Sequence, residues 1–92
     1  MASIEEELRT AKAAKAVIST LSTTIFTSKS FAPLQHAYRI AVLHLSNEGP
    51  LDEARRNVGI ALSNLMHRPM AQEKIDKAKG AVDEWISQLR AA

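Results

Sequence analysis

The chain has 92 residues, no cysteine, and 12 basic against 10 acidic side chains, for a net charge of +2. That length holds one domain with one modest core, and the absence of cysteine excludes disulfides, thiolate nucleophiles and zinc–thiolate centres. A composition of 46% hydrophobic and 24% charged residues is that of a folded globular chain rather than a disordered one.

The first helix begins at a capping box. Ser3 is followed three residues later by Glu6, and Glu5 to Glu7 lie at the positive end of the helix dipole. Ile4, Leu8, Ala11, Ala14, Ile18, Leu21 and Ile25 recur at intervals of three and four, which predicts a helix over 3–26. Hydroxyl-bearing and β-branched residues from Ser19 onward lower helix propensity, so an end is expected between Thr24 and Ser28.

Ser28-Lys29-Ser30 reads as a connection, and Pro33 suits the first turn of a second helix over 31–46. Phe31, Leu34, Tyr38, Ala41, Val42 and Leu45 share one stripe of this helix, while Ile40 and Leu43 lie on its far side. A helix apolar on nearly all sides is expected at the centre of the fold, surrounded by its neighbours. In Asn47-Glu48-Gly49-Pro50, Gly49 can take a left-handed conformation and Pro50 cannot continue the preceding helix, so the chain must turn there.

Pro50 then opens a third helix over 50–67, whose core face is Leu51, Ala54, Val58, Leu62 and Leu65. The opposite face carries Glu53, Arg56, Asn57, Asn64 and His67, with Ile60 in their midst, the pattern of an apolar anchor inside a polar ring. Gly59 lies inside this helix at a cost in propensity, and close approach of another helix would be a reason for it. Arg68-Pro69 ends it. A fourth helix over 69–90 has a narrow seam of Ala71, Ile75, Ala78, Val82, Trp85 and Leu89; sharing the stripe of Val82 and Leu89 favours the core for Trp85, with an interface around it as the alternative. Glu73 with Lys77 and Lys79 with Asp83 form i,i+4 pairs on its outer side. Pro33-Leu34-x-x-Ala37-x-Arg39 recurs as Pro50-Leu51-x-x-Ala54-x-Arg56, an echo that shared helix-start chemistry explains as well as duplication does. The expected fold is all-α, a single-domain, compact, mostly antiparallel four-helix bundle with a central apolar second helix.

Chemistry-bearing motifs are missing. There is no G-x-S-x-G elbow, phosphate loop or dinucleotide fingerprint, and the three glycines lie far apart. The expectation is therefore a non-enzyme with no cofactor. His36 and His44 are eight residues apart without a carboxylate or cysteine partner set, so no metal site is expected. The opening MASIEEEL is acidic where a secretory signal is basic, and the apolar run Ile40–Leu43 is far short of the ~20 residues of a membrane span. Cytoplasmic location, with no membrane contact, is expected.

Charge is distributed unevenly. No acidic residue lies between Leu8 and Asn47, while Arg9, Lys12, Lys15, Lys29 and Arg39 fall within that stretch. Convergence of these cations would make a basic patch suited to an acidic protein surface. The function expected from these features is a small protein–protein interaction module: an adaptor, a cofactor, or an inhibitor that occludes a partner's surface. That size and type is common among phage and mobile-element regulators. Its contact residues are expected among those five cations together with Arg56, Ile60, Asn64 and His67, and a homodimer is a natural extension. The alternative is nucleic-acid binding through the same basic residues, with Arg55, Arg56 and Arg68 added from a helix–turn–helix-like arrangement of helices 2 and 3.

Overall fold

A computed structural model describes residues 4–21, 28–44, 49–67 and 71–91, apart from the side chains of residues 28–31. Four helices follow in order: α1 (Ile4–Thr20), α2 (Ser28–Leu43), α3 (Gly49–Leu65) and α4 (Gln72–Ala91). Each packs on two others, α1 and α3 both lying between α2 and α4, so the four form a square bundle of 36 × 19 × 18 Å. The all-α four-helix expectation holds.

Several helix ends differ from the sequence reading. α1 ends at Thr20, earlier than expected, where the Ser19 hydroxyl bonds the Lys15 carbonyl and the Thr20 hydroxyl bonds that of Val17. Such back-bonding competes with the helical ladder, and the Leu21 amide closes a tighter turn onto Ile18 O at 3.1 Å. The capping residue Ser3 and the hydroxyl-rich run 22–27 lie outside the described residues. α2 starts at Ser28, so Ser28-Lys29-Ser30 is its first turn rather than a connection, and Pro33 falls inside the helix. Gly49 has φ of +80°, the left-handed conformation expected of it, and leads directly into Pro50 at the head of α3. In α4, the Ala71 carbonyl accepts from both Lys74 and Ile75 amides, which places Ala71 at the helix entry.

The core is Ala11, Ala14 and Ile18 of α1, Leu34, Ala37 and Ala41 of α2, Ala54, Val58, Leu62 and Leu65 of α3, and six residues of α4 including a fully buried Trp85. The seams of α3 and α4 match the periodicity. Ile4 is an exception, exposed at the start of α1. α2 is not the centre of the bundle; it is one wall of four, with Tyr38, Val42 and Leu43 exposed. Its inward residues are Leu34, Ala37 and Ala41, with Ile40 packed partly against the core.

Candidate interaction surface

One end of the bundle is closed by a buried polar network that touches every helix. The Glu7 carboxylate, 1% exposed, accepts from Arg55 Nε at 2.7 Å, Arg55 Nη2 at 2.8 Å and Trp85 Nε1 at 2.8 Å. The remaining Arg55 nitrogen, Nη1, donates to the His44 carbonyl at 2.9 Å just past the end of α2. The bidentate fork-to-carboxylate geometry gives a strong, charge-assisted pair. Among the described residues no buried side-chain polar atom is left without a partner.

This network also fixes the topology. The start of α1, the end of α2, the start of α3 and the second half of α4 all meet there, which requires an up-down-up-down bundle. Arg55 is therefore a structural residue, and the nucleic-acid alternative loses it: a buried guanidinium already paired with a carboxylate cannot reach a phosphate. Glu7 and Arg55 were hidden in the sequence because each sits in a plausible surface role, one as a helix-dipole acid, the other beside Arg56.

Register along α2 and α3 follows from the same end. With His44 held against Arg55, Val42 and Tyr38 come over Gly59, where a Cβ would lie 3.6 Å from Val42 Cγ2 and 3.8 Å from Tyr38 Cε2. The glycine floors a groove of about 310 Å³ between α2 and α3, walled by Tyr38, Val42, Arg56 and Ile60. On the other flank of α3, Ile60 and Asn64 border a second groove of about 480 Å³ toward α4, floored by the small side chains Ala61, Ala71 and Ala81. Ile60, 58% exposed, is thus the crest of a ridge between two grooves. Tyr38, Val42, Leu43 and Ile60 are four of the five large hydrophobic side chains exposed among the described residues; Tyr38, Val42 and Ile60 border the α2–α3 groove, whereas Leu43 lies on the far side of α2 from Tyr38.

The nine expected contact residues divide into separate places. Arg56, Ile60 and Asn64 come together on the α2–α3 face; Arg56 Nη2 is 3.1 Å from the buried Asp52 carboxylate, which orients it along the groove. His67 is exposed past the end of α3, with Nδ1–H donating to Ser63 O at 2.9 Å as a cap on the last turn. Arg39 is exposed on the outside of α2. Arg9 is exposed on α1, while Lys12 and Lys15 line a different groove, between α1 and α4, with Asp83 and Arg90. Lys15 Nζ is 2.8 Å from Asp83, so Asp83 pairs across the bundle instead of with Lys79, and part of the acid-free stretch is neutralised. The expected Glu73–Lys77 pair is present at 3.1 Å. The Lys29 side chain and Arg68 lie outside the described residues.

Among the described residues there is no cluster of three potential metal-ligating His, Asp or Glu side chains, and no helix is long and apolar enough to cross a membrane. His44 is half-buried, its Nδ1–H bonded to Ile40 O at 2.8 Å, and His36 is exposed. Comparison with protein-family models, curated proteins and solved structures finds no match to this chain.

Proposed function

We propose that this chain is a non-enzymatic protein-interaction module whose contact surface is the α2–α3 face, with Ile60 as the central anchor. The observation that carries the reading is the grouping of exposed Ile60 with Tyr38 and Val42 around one groove between α2 and α3, while Leu34, Ala37 and Ala41 of α2 face the core. Apolar residues scattered singly over a surface need no explanation, whereas several gathered on one face with flanking grooves match the core of an interface. Arg56 and Asn64, which line the groove beside Ile60, supply the polar rim that keeps water from the anchor. The partner is a protein whose own contact surface is apolar at its centre.

Nucleic-acid binding has weaker support, because Arg55 is buried against Glu7, Lys15 is matched by Asp83, and Arg56 is tied to Asp52. The experiment is photo-crosslinking in the native host from an unnatural residue placed at position 60, with half the sample treated with nuclease. Protein adducts that persist after nuclease and vanish when Val42→Glu is added support the reading. Adducts lost with nuclease, or the same yield from a probe placed at Ser87 on the far side, overturn it.

A further inference from the structure

We infer that the groove between α1 and α4 is a binding site for a small phosphate monoester, the phosphate held between Lys12 and Arg90 with the Ser87 hydroxyl as a further donor. This groove is on the opposite side of the bundle from α2–α3, and the inference is independent of the reading of that face.

Both walls of the groove are basic. Lys12 and Lys15 stand on α1 and Arg90 on α4, around a space of about 450 Å³ bordered by the nearly buried Ile86. Lys15 is matched by Asp83 at 2.8 Å, which leaves Lys12 and Arg90. Neither makes a hydrogen bond or ion pair with another described residue, and nor does the Ser87 hydroxyl. A helical serine commonly returns its hydroxyl to the preceding turn, as Ser19 does to Lys15 O at 2.9 Å; Ser87 leaves its own available to the groove it lines.

Neighbouring charges do not cancel the two free cations. The next charged residues along the walls, Arg9 on α1 and Lys79 on α4, are also basic, and the acids Glu5 and Asp76 each stand a further turn out. Glu84 accepts from the Gln88 amide at 2.9 Å. The α3–α4 groove is different, because its cations are engaged: Lys77 pairs with Glu73 at 3.1 Å and Lys74 donates to His67 O at 3.1 Å.

Charge and donor number set the ligand class. A phosphate monoester carries about two negative charges at neutral pH and three strong acceptor oxygens, which match two cations and a hydroxyl. The guanidinium fork suits a phosphate edge, and the ammonium supplies a point charge. The groove falls within the roughly 300–1,000 Å³ of small-molecule sites, so it has room for the esterified body, against which Ile86 sets an apolar wall.

The test is a titration of the full chain with ribose 5-phosphate, followed through its amide NMR signals at constant low ionic strength, with ribose and succinate as parallel arms. The expected result is a saturable shift centred on Lys12, Ser87 and Arg90 with a dissociation constant on the order of 1 mM, and none with ribose. Lys12→Gln and Arg90→Gln, both at exposed positions, should each weaken binding at least about 5-fold without moving the thermal unfolding midpoint. Asp83→Asn frees Lys15 and removes a competing carboxylate, so it should tighten binding at least about 3-fold. Lys77→Gln, outside the groove, should leave binding unchanged. Shifts still linear at about 50 mM, an equal response to succinate, or a loss in Lys77→Gln equal to that in Lys12→Gln overturns the inference. A small ligand gives no protein adduct at position 87, so that failure would leave the α2–α3 reading standing.

Discussion

Removing the Glu7 carboxylate should be the most damaging single change in the protein. Glu7→Ala leaves Arg55 Nε and Nη2 and the Trp85 indole N–H without their acceptor in a site where Glu7 is 1% and the Arg55 side chain 10% exposed. Breaking a buried ion pair from one side costs about 3–5 kcal/mol, because the surviving charge is neither hydrated nor matched. For a chain of this length the whole stability is roughly 5–14 kcal/mol, so the midpoint of thermal unfolding should fall by at least about 12 °C. The combined variant Glu7→Leu, Arg55→Met, Trp85→Phe removes charge and donor together and should recover most of that loss, since replacing a complete buried pair by apolar groups is often neutral. Guanidinium titrations followed by circular dichroism measure both; the fluorescence of Trp85, the sole tryptophan, reports on the network itself in Glu7→Ala. A loss below about 1 kcal/mol for Glu7→Ala, or a combined variant no better than the single one, would refute the claim that the pair is desolvated and mutually dependent.

Gly80 lies inside α4 where an added Cβ meets nothing within 4 Å, so Gly80→Ala should stabilise by about 0.5–1 kcal/mol in the same titration. Gly59→Ala should stabilise similarly, because its Cβ would make ordinary contact with Val42 and Tyr38 at 3.6 and 3.8 Å, and a loss of stability would mean the helices approach more closely than that. Lys15→Ala should cost less than about 1 kcal/mol, as both partners of the Lys15–Asp83 pair are 47% exposed and solvent-screened, and the difference should shrink in 1 M salt. Ile60→Gln should leave the stability of the monomer within about 0.5 kcal/mol of the parent, measured below the concentration of any association; a larger loss would make Ile60 a core residue.

The elements were legible because their signals are local and repeated. Val58, Leu62 and Leu65 on α3, or Val82, Trp85 and Leu89 on α4, recur at helical spacing, and burial follows that spacing. α2 misled for a definite reason. Leu34 and Ala41 of the expected stripe are buried, but Ala37 joins them while Tyr38 and Val42 are exposed, so the core face is turned toward the alanines, and only the packing distance of the neighbours decides this. Ile60, by contrast, could be picked out at once, because a lone isoleucine on a polar face has no core role at that register. The network was invisible for a third reason. Glu7, Arg55 and Trp85 are 48 and 78 residues apart in the pairs they form, and no periodicity links a first-turn acid to an arginine at that separation.

The same network explains why the apolar face persists in the free chain. Rotating α2 to bury Tyr38 and Val42 would put larger side chains where Ala37 and Ala41 now sit, drive the helix away from α3, and break the 2.9 Å bond from Arg55 to the His44 carbonyl. The exposure is therefore fixed by the register of the bundle and held on two rigid helices. Covering Tyr38, Val42 and Ile60, which are between 36% and 58% exposed, would gain on the order of 3 kcal/mol. Association costs about 4–15 kcal/mol before any contact is counted, so these three anchors alone cannot hold a tight complex. Filling the grooves beside Ile60 and bonding the rim through Arg56 and Asn64 must supply the rest.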